Sequence, residues 1–287
     1  MEGNFCNLPA LVTLRDKYKF VLYVDEAHSI GAIGPKGRGV CEYFGVDPCK
    51  VDILMGTLTK SFGANGGYIA ASKQVIDKVR CCNAGTLFAE SPCPAVLAQI
   101  STSLRIIAGE IAGDQGEERL QRLAFNSRYL RLGLKRLGFI VYGHDDSPII
   151  PLLLFNPGKI SAFSREMLKH KIAVVVVGYP ATPLISSRAR FCVSAAHTKD
   201  DLDRLLSVCD KVGDLLQLKF SIGVGGGKTK PLIGGGEPKD NQKRDQSKQG
   251  LWQFTRVSGR RAPLTPPRWK LEDVIQRGVV DVKGHLF

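Results

Sequence analysis

At 287 residues, with 44% hydrophobic and 23% charged side chains, the chain can bury one large or two modest globular cores. Its net charge of +13 is uneven: residues 222–287 hold 13 Lys and Arg against 6 Asp and Glu, so the basic excess lies mainly in the tail and does not mark a nucleic-acid-binding core. The cysteines at 6, 41, 49, 81, 82, 93, 192 and 209 contain no C-x-x-C pair and read as reduced thiols, and no run reaches the ~18–20 apolar residues of a membrane helix.

The first elements alternate. Phe20 to Val24 is a short apolar run that ends in Asp25; Val51 to Met55 is a second and Gly67 to Ala71 a third. Such runs predict strands of a largely parallel sheet. Helical spacing follows near 73–80, 94–108 and 117–137, which makes the class α/β. Gly109 to Gly116 is a joint. Beyond it, strands are predicted at Phe139–Tyr142, Ile149–Phe155, Ala173–Val177 and Arg190–Ser194, with helices near 161–170 and 199–217. This is a smaller α+β unit. From Ile222 the Gly-rich, Lys-rich composition predicts a flexible linker, and spacing from 268 predicts a short helical tail. The expected organisation is 1–111, 112–221, 222–267 and 268–287.

Three residue types stand out in the first unit. Asp25 closes a strand, His28 follows in Asp25-Glu26-Ala27-His28, and Lys60 lies in Gly56-Thr57-Leu58-Thr59-Lys60-Ser61-Phe62-Gly63 after the next strand. A lysine amine can bond an aldehyde. A strand-end acid can keep a pyridine nitrogen protonated, so that the ring withdraws electrons. Together they form the working set of a pyridoxal 5′-phosphate (PLP) site. Taken singly, each has a plainer reading: an acid capping a turn, a surface histidine, a solvated lysine. Asp25-Glu26-Ala27-His28 also spells the acidic motif of RNA helicases. That reading requires an upstream phosphate loop, and the one candidate, Gly223 to Thr229, lies downstream and is a residue short.

These motifs, with Gly37-Arg38-Gly39, Val174 to Pro183 and Arg188 to Thr198, resemble the α-oxoamine synthases, fold-type-I PLP enzymes that condense an amino acid with an acyl-CoA and release CO₂. Within that family the likeness is strongest to the catalytic large subunits of the serine-using, eukaryotic branch. The resemblance implies a partial large PLP-binding domain with a mixed, mostly parallel sheet and a smaller C-terminal α+β domain. It implies cofactor contacts from Asp25 (pyridine nitrogen), His28 (ring oxygen), Thr57 (phosphate) and Lys60 (aldehyde), with Ser91 reaching a phosphate across a dimer interface. Arg190 would clamp the substrate carboxylate. No metal is expected.

The implied substrates are L-serine and palmitoyl-CoA, and the implied partner is a smaller regulatory subunit in a heterodimer at the cytosolic face of the endoplasmic reticulum. A membrane anchor is expected only outside this chain or in the partner. Two alternatives stay open: a family member using glycine or alanine, which would be a homodimer, and a non-catalytic chain that only pairs with a full subunit. Only about twenty residues precede the Asp25 strand, so the chain reads as the later part of a longer protein and is expected to be inactive alone.

Overall fold

The computed structural model describes residues 2–221. Helix α1 (Leu8–Tyr18) starts where the Asn7 carboxamide oxygen accepts the Ala10 N–H at 3.2 Å. It buries Leu8 and Val12 against Leu22, Val24, Val40, Cys41 and Val51. Strands β1 (Tyr23–Asp25) and β2 (Ile53–Thr57) run parallel, and β3 (Gly67–Ala71) pairs antiparallel with β2, giving a mixed sheet of order β1-β2-β3. The expected strand at 20–24 is displaced to 23–25. Asp52 accepts the Leu22 N–H at 2.8 Å and the Arg15 Nε–H at 3.1 Å, so the ladder begins only beyond that clamp.

The short helix α2 (Val40–Phe44) sits between β1 and β2. After β3 come α3 (Lys73–Cys82), α4 (Ala84–Phe88) and α5 (Pro94–Ala108), none of which buries a residue in this chain. Leu87, Phe88, Leu97 and Leu104 are exposed along them. The expected burial of this sheet on both faces is therefore not met within the chain itself: Tyr23 and Ile69 are also exposed.

The second unit is closed. Strands β4 (Ile149–Leu153), β5 (Val175–Val177) and β6 (Arg188–Cys192) form an antiparallel sheet of order β4-β6-β5. One face packs on α6 (Gln115–Arg136), α7 (Pro157–Lys169) and α8 (Lys199–Leu215). Its core holds Leu130, Leu134, Ile150, Leu152, Phe163, Met167, Ala189, Phe191, Cys209 and Val212. Thr198 and Asp201 form a capping box at the start of α8.

Two expected strands differ in the structure. Phe139 to Tyr142 makes only one bridge, Val141 to Leu152, because Gly138 and Gly143 at φ 91° and 99° bend the chain on either side. The strand expected at 190–194 starts at Arg188, whose charge is met by a residue far away in sequence, Glu2. The 142–149 turn is pinned by Arg131, which is fully buried. Its guanidinium donates to the carbonyls of Tyr142 at 2.5 Å, Ile149 at 3.0 Å and Ser147 at 3.3 Å.

The units are joined at Asp146, which accepts the Tyr43 hydroxyl at 2.7 Å and the Arg128 Nε–H at 2.6 Å. Nearby, Phe5 stacks on His144 at 4.4 Å. All eight cysteines are free thiols. Among the described residues no helix is long and apolar enough to cross a membrane. The expected linker, the helical tail and Gly223 to Thr229 lie outside the described residues.

Candidate active site

Asp25 and Met55 are partners at the ends of the parallel strands β1 and β2. The crevice beyond the carboxyl ends of parallel strands is where open α/β sheets bind ligands. Asp25 is exposed there, and its Oδ1 accepts the Ala27 N–H at 2.8 Å, which fixes the carboxylate at the mouth of the crevice. Its neighbour Glu26 points the other way and is buried. Glu26 Oε1 accepts the Val40 N–H at 2.8 Å and holds α2 in place. Burial pushes the Glu26 carboxyl up, opposed by its bonds to the backbone of Val40 and Cys41. Gly39 must be glycine here: its φ is 84°, and a Cβ would lie 2.5 Å from Glu26 Oε1. The adjacent acids thus have separate tasks.

His28 sits in the turn after β1, where the Ser29 and Ile30 N–H groups both donate to the Glu26 carbonyl, at 2.9 and 3.0 Å. Its pKa is lowered from 6.5 to about 4, first by burial, then by the positive charge of the amino terminus and those of Lys60 and Arg190, against the pull of Asp25. The imidazole is neutral at physiological pH. The same interactions show that the fold brings Asp25, His28, Lys60 and Arg190 into one electrostatic neighbourhood, although 165 positions separate the first from the last.

The Lys60 loop is braced from several sides. Leu58 N–H donates to Gly66 O and Ala64 N–H to Leu58 O, both at 3.0 Å. Thr57 and Thr59 share a hydroxyl contact at 2.8 Å. The Ser61 hydroxyl donates to Ile30 O at 3.0 Å and so ties this loop to the His28 turn. Phe62 is buried, and its carbonyl accepts from Gln99 and Ser103 of α5 at 3.2 and 3.0 Å. Lys60 itself is exposed beside an open cavity of about 480 Å³ lined by Ala27, Met55, Gly56, Thr57, Lys60, Gly67, Tyr68 and Ile69.

Of the expected residues, Thr57 and Lys60 line this cavity, and Asp25, Lys60 and Arg190 act electrostatically on His28. Ser91 lies on the exposed connection between α4 and α5 and is not part of the lining. Arg190 is half-buried on β6, and its Nε is buried without a hydrogen-bond partner. Sequence reasoning did not single out Tyr68, Met55 or Ile69 as lining residues. The available signal was the strand register: Tyr68 stands opposite Gly56, the one residue in β2 that leaves room for its ring.

The family model described as aminotransferase class I and II matches residues 1–208. The chain belongs to this family. The aminotransferase class I/II chain is 57% identical over 284 residues to serine palmitoyltransferase 2 of Schizosaccharomyces pombe, covering 98% of this chain and 43% of that protein. It is 55% identical over 221 residues to human serine palmitoyltransferase 3, covering 77% of this chain and 40% of that protein. Among solved structures it matches a high-resolution structure of SPT with PLP at a TM-score of 0.70 and 30% identity, covering 76% of this chain and 53% of the other. The chain thus spans less than half the length of these curated relatives. The fold is that of fold-type-I transferases, as the sequence motifs implied.

Proposed function

We propose that this chain forms the lysine-bearing part of a PLP-dependent acyltransferase that condenses L-serine with palmitoyl-CoA, releasing CO₂ and CoA to give 3-ketosphinganine. The observation that carries the reading is that Asp25, Lys60 and Arg190 all act electrostatically on His28, while Lys60 and Thr57 stand on the wall of one cavity. The relatives named serine palmitoyltransferase support the choice of reaction.

The residues fit the cofactor by the chemistry of their donor set. Lys60 offers an exposed amine, Asp25 an exposed carboxylate at the strand end, and Thr57 a hydroxyl at the cavity wall. When bound, PLP supplies a reactive aldehyde and an electron-withdrawing pyridine ring. Asp25 holds the pyridine nitrogen protonated, since an adjacent anion favours the charged form. Neutral His28 donates an N–H to the ring oxygen. Thr57 donates to the phosphate, and Ser91 serves a phosphate across a subunit interface.

Lys60 would hold the cofactor through its aldehyde, and its amine would move the proton at the serine Cα. Arg190 anchors the serine carboxylate, a task suited to a planar guanidinium with an unpartnered Nε. Anchoring that group would orient the serine for reaction at its Cα.

The exposed apolar residues of α4 and α5 support pairing with another polypeptide, which we assign to a smaller regulatory subunit in a heterodimer. Placement at the cytosolic face of the endoplasmic reticulum, with membrane attachment outside this chain or in the partner, completes the proposal. The test is formation of 3-ketosphinganine from labelled serine and palmitoyl-CoA by the full-length protein with its partner. Preference for glycine or alanine, or no product, overturns the reading. Residues 1–287 alone are expected to be inactive, because the cavity beside Lys60 is open and the chain spans less than half the length of its curated relatives.

A further inference from the structure

Alternate residues of a strand point to opposite faces of its sheet. On β6, Ala189 and Phe191 face the core of the second unit, so Arg188 and Arg190 share the opposite face, from which Arg190 acts on His28. Their Cα atoms are separated by about 6.5 Å, two strand residues. Two guanidiniums so close would both draw an anion. The structure treats them differently. Arg188 is buried, and its Nη1 donates to the carboxylate of Glu2. Arg190 keeps a buried Nε without a partner, and its charge is felt at His28.

Glu2 is held where it is. Gly3 packs so tightly on β4 that a Cβ there would lie 2.4 Å from the Ile149 carbonyl oxygen. The Gly3 carbonyl accepts the His144 N–H at 2.6 Å, and Phe5 stacks on the His144 ring at 4.4 Å. Tyr142, held by Arg131, adjoins the pair, since both Glu2 and Arg188 act on its hydroxyl. The start of the described chain is thus a fitted strap across β4 that delivers one carboxylate to one arginine.

We propose that Glu2 is a charge-compensating positioning residue: it takes up the charge of Arg188, so that Arg190 alone captures the substrate carboxylate. The inference rests on the reading of Arg190 as the carboxylate anchor. Without Glu2, a carboxylate would be shared between the two cations and drawn out of register, because an unpaired buried charge seeks the nearest anion.

The test uses the full-length protein with its partner subunit and cofactor in four forms: parent, Glu2→Gln, Glu2→Asp and the double variant Glu2→Gln with Arg188→Met. Each is measured for L-serine Kd by calorimetry, for KM and kcat with serine and palmitoyl-CoA, and for its thermal midpoint. Glu2→Gln should raise the serine Kd and KM by roughly 10-fold and leave the palmitoyl-CoA KM unchanged. Glu2→Asp should stay within about 3-fold of the parent, and the double variant should return to within about 3-fold, because the competing cation is gone.

An unchanged serine Kd in Glu2→Gln overturns the inference. So does a double variant as impaired as Glu2→Gln, which would make the pair a structural tie only. If Glu2→Gln does not fold, the double variant and Glu2→Asp still decide. A parent that binds no serine overturns the functional reading and this inference with it; an active parent with a flat series overturns the inference alone.

Discussion

The Tyr68 ring fills the space beside Gly56 that a Cβ would need: a carbon built there would lie 2.4–2.5 Å from Tyr68 Cε1, Cζ and Oη. The two residues are partners across the β2–β3 ladder, and both line the cavity. Gly56→Ala therefore forces Tyr68 out of place. The expected cost is about 1–3 kcal/mol of stability, the range for overpacking. Adding Tyr68→Ala to Gly56→Ala should recover part of that loss, since the clash is removed. Unfolding midpoints of the two single variants and the double variant give the answer, and simple additivity would show that the contact is not tight.

Lys60→Ala should abolish covalent retention of the cofactor and lower turnover by at least ~10³-fold. Borohydride treatment followed by peptide mapping checks it. A cofactor still trapped in the variant would move the assignment to another amine.

Asp25→Asn should fold, because asparagine can still accept the Ala27 N–H that Asp25 now accepts at 2.8 Å. Turnover should fall by ~10² or more, since the amide cannot keep a pyridine nitrogen charged. Exchange of the serine α-proton with solvent, followed by NMR, measures the affected step. Exchange at the parent rate would count against the role given to Asp25.

His28 gives a pH signature. Its folded pKa of about 4 lies below the ordinary 6.5. Between these values the unfolded chain binds a proton that the folded chain excludes, so stability falls as pH drops through that window and is insensitive to His28 above it. Urea unfolding at about pH 7.5 and about pH 5 should show a smaller pH-dependent loss in His28→Gln than in the parent. Equal losses would mean that His28 titrates normally.

Arg131→Met should be among the most damaging substitutions in the second unit. It strands the carbonyls of Tyr142, Ser147 and Ile149, which now accept from the guanidinium. An unsatisfied buried group costs about 1–3 kcal/mol, so a loss of ~3 kcal/mol or more is expected in chemical unfolding.

Much of this was legible because local signals and tertiary demands agreed. Helix α5 begins at Pro94 and stops at Gly109, a glycine at φ 77°, and the sequence pattern placed its ends where the structure has them. Strand β3 is likewise bounded by Gly67 and Ser72. Helix α1 was not foreseen, although Asn7 and Pro9 mark its start, because its apolar residues form no clear stripe. Type and spacing alone grouped Lys60, Asp25 and His28, and the structure has Lys60 and Asp25 acting on His28. The separate duties of Asp25 and Glu26 were not legible, because only the fold places the Val40 N–H against Glu26. Nor was the bond from Arg188 to Glu2, which joins residues 186 positions apart.

Strand β6 is shared by two tenants. Ala189 and Phe191 belong to a packed interior, whereas Arg190 on the other face acts electrostatically on His28 and Arg188 is paired with Glu2. A variant library read along this strand should show a contrast between neighbours: changes at 189 and 191 lower the amount of protein, while changes at 190 leave protein that works badly. Abundance and specific activity would rise and fall out of phase from one residue to the next, so neither readout alone could rank the harm done by a substitution here.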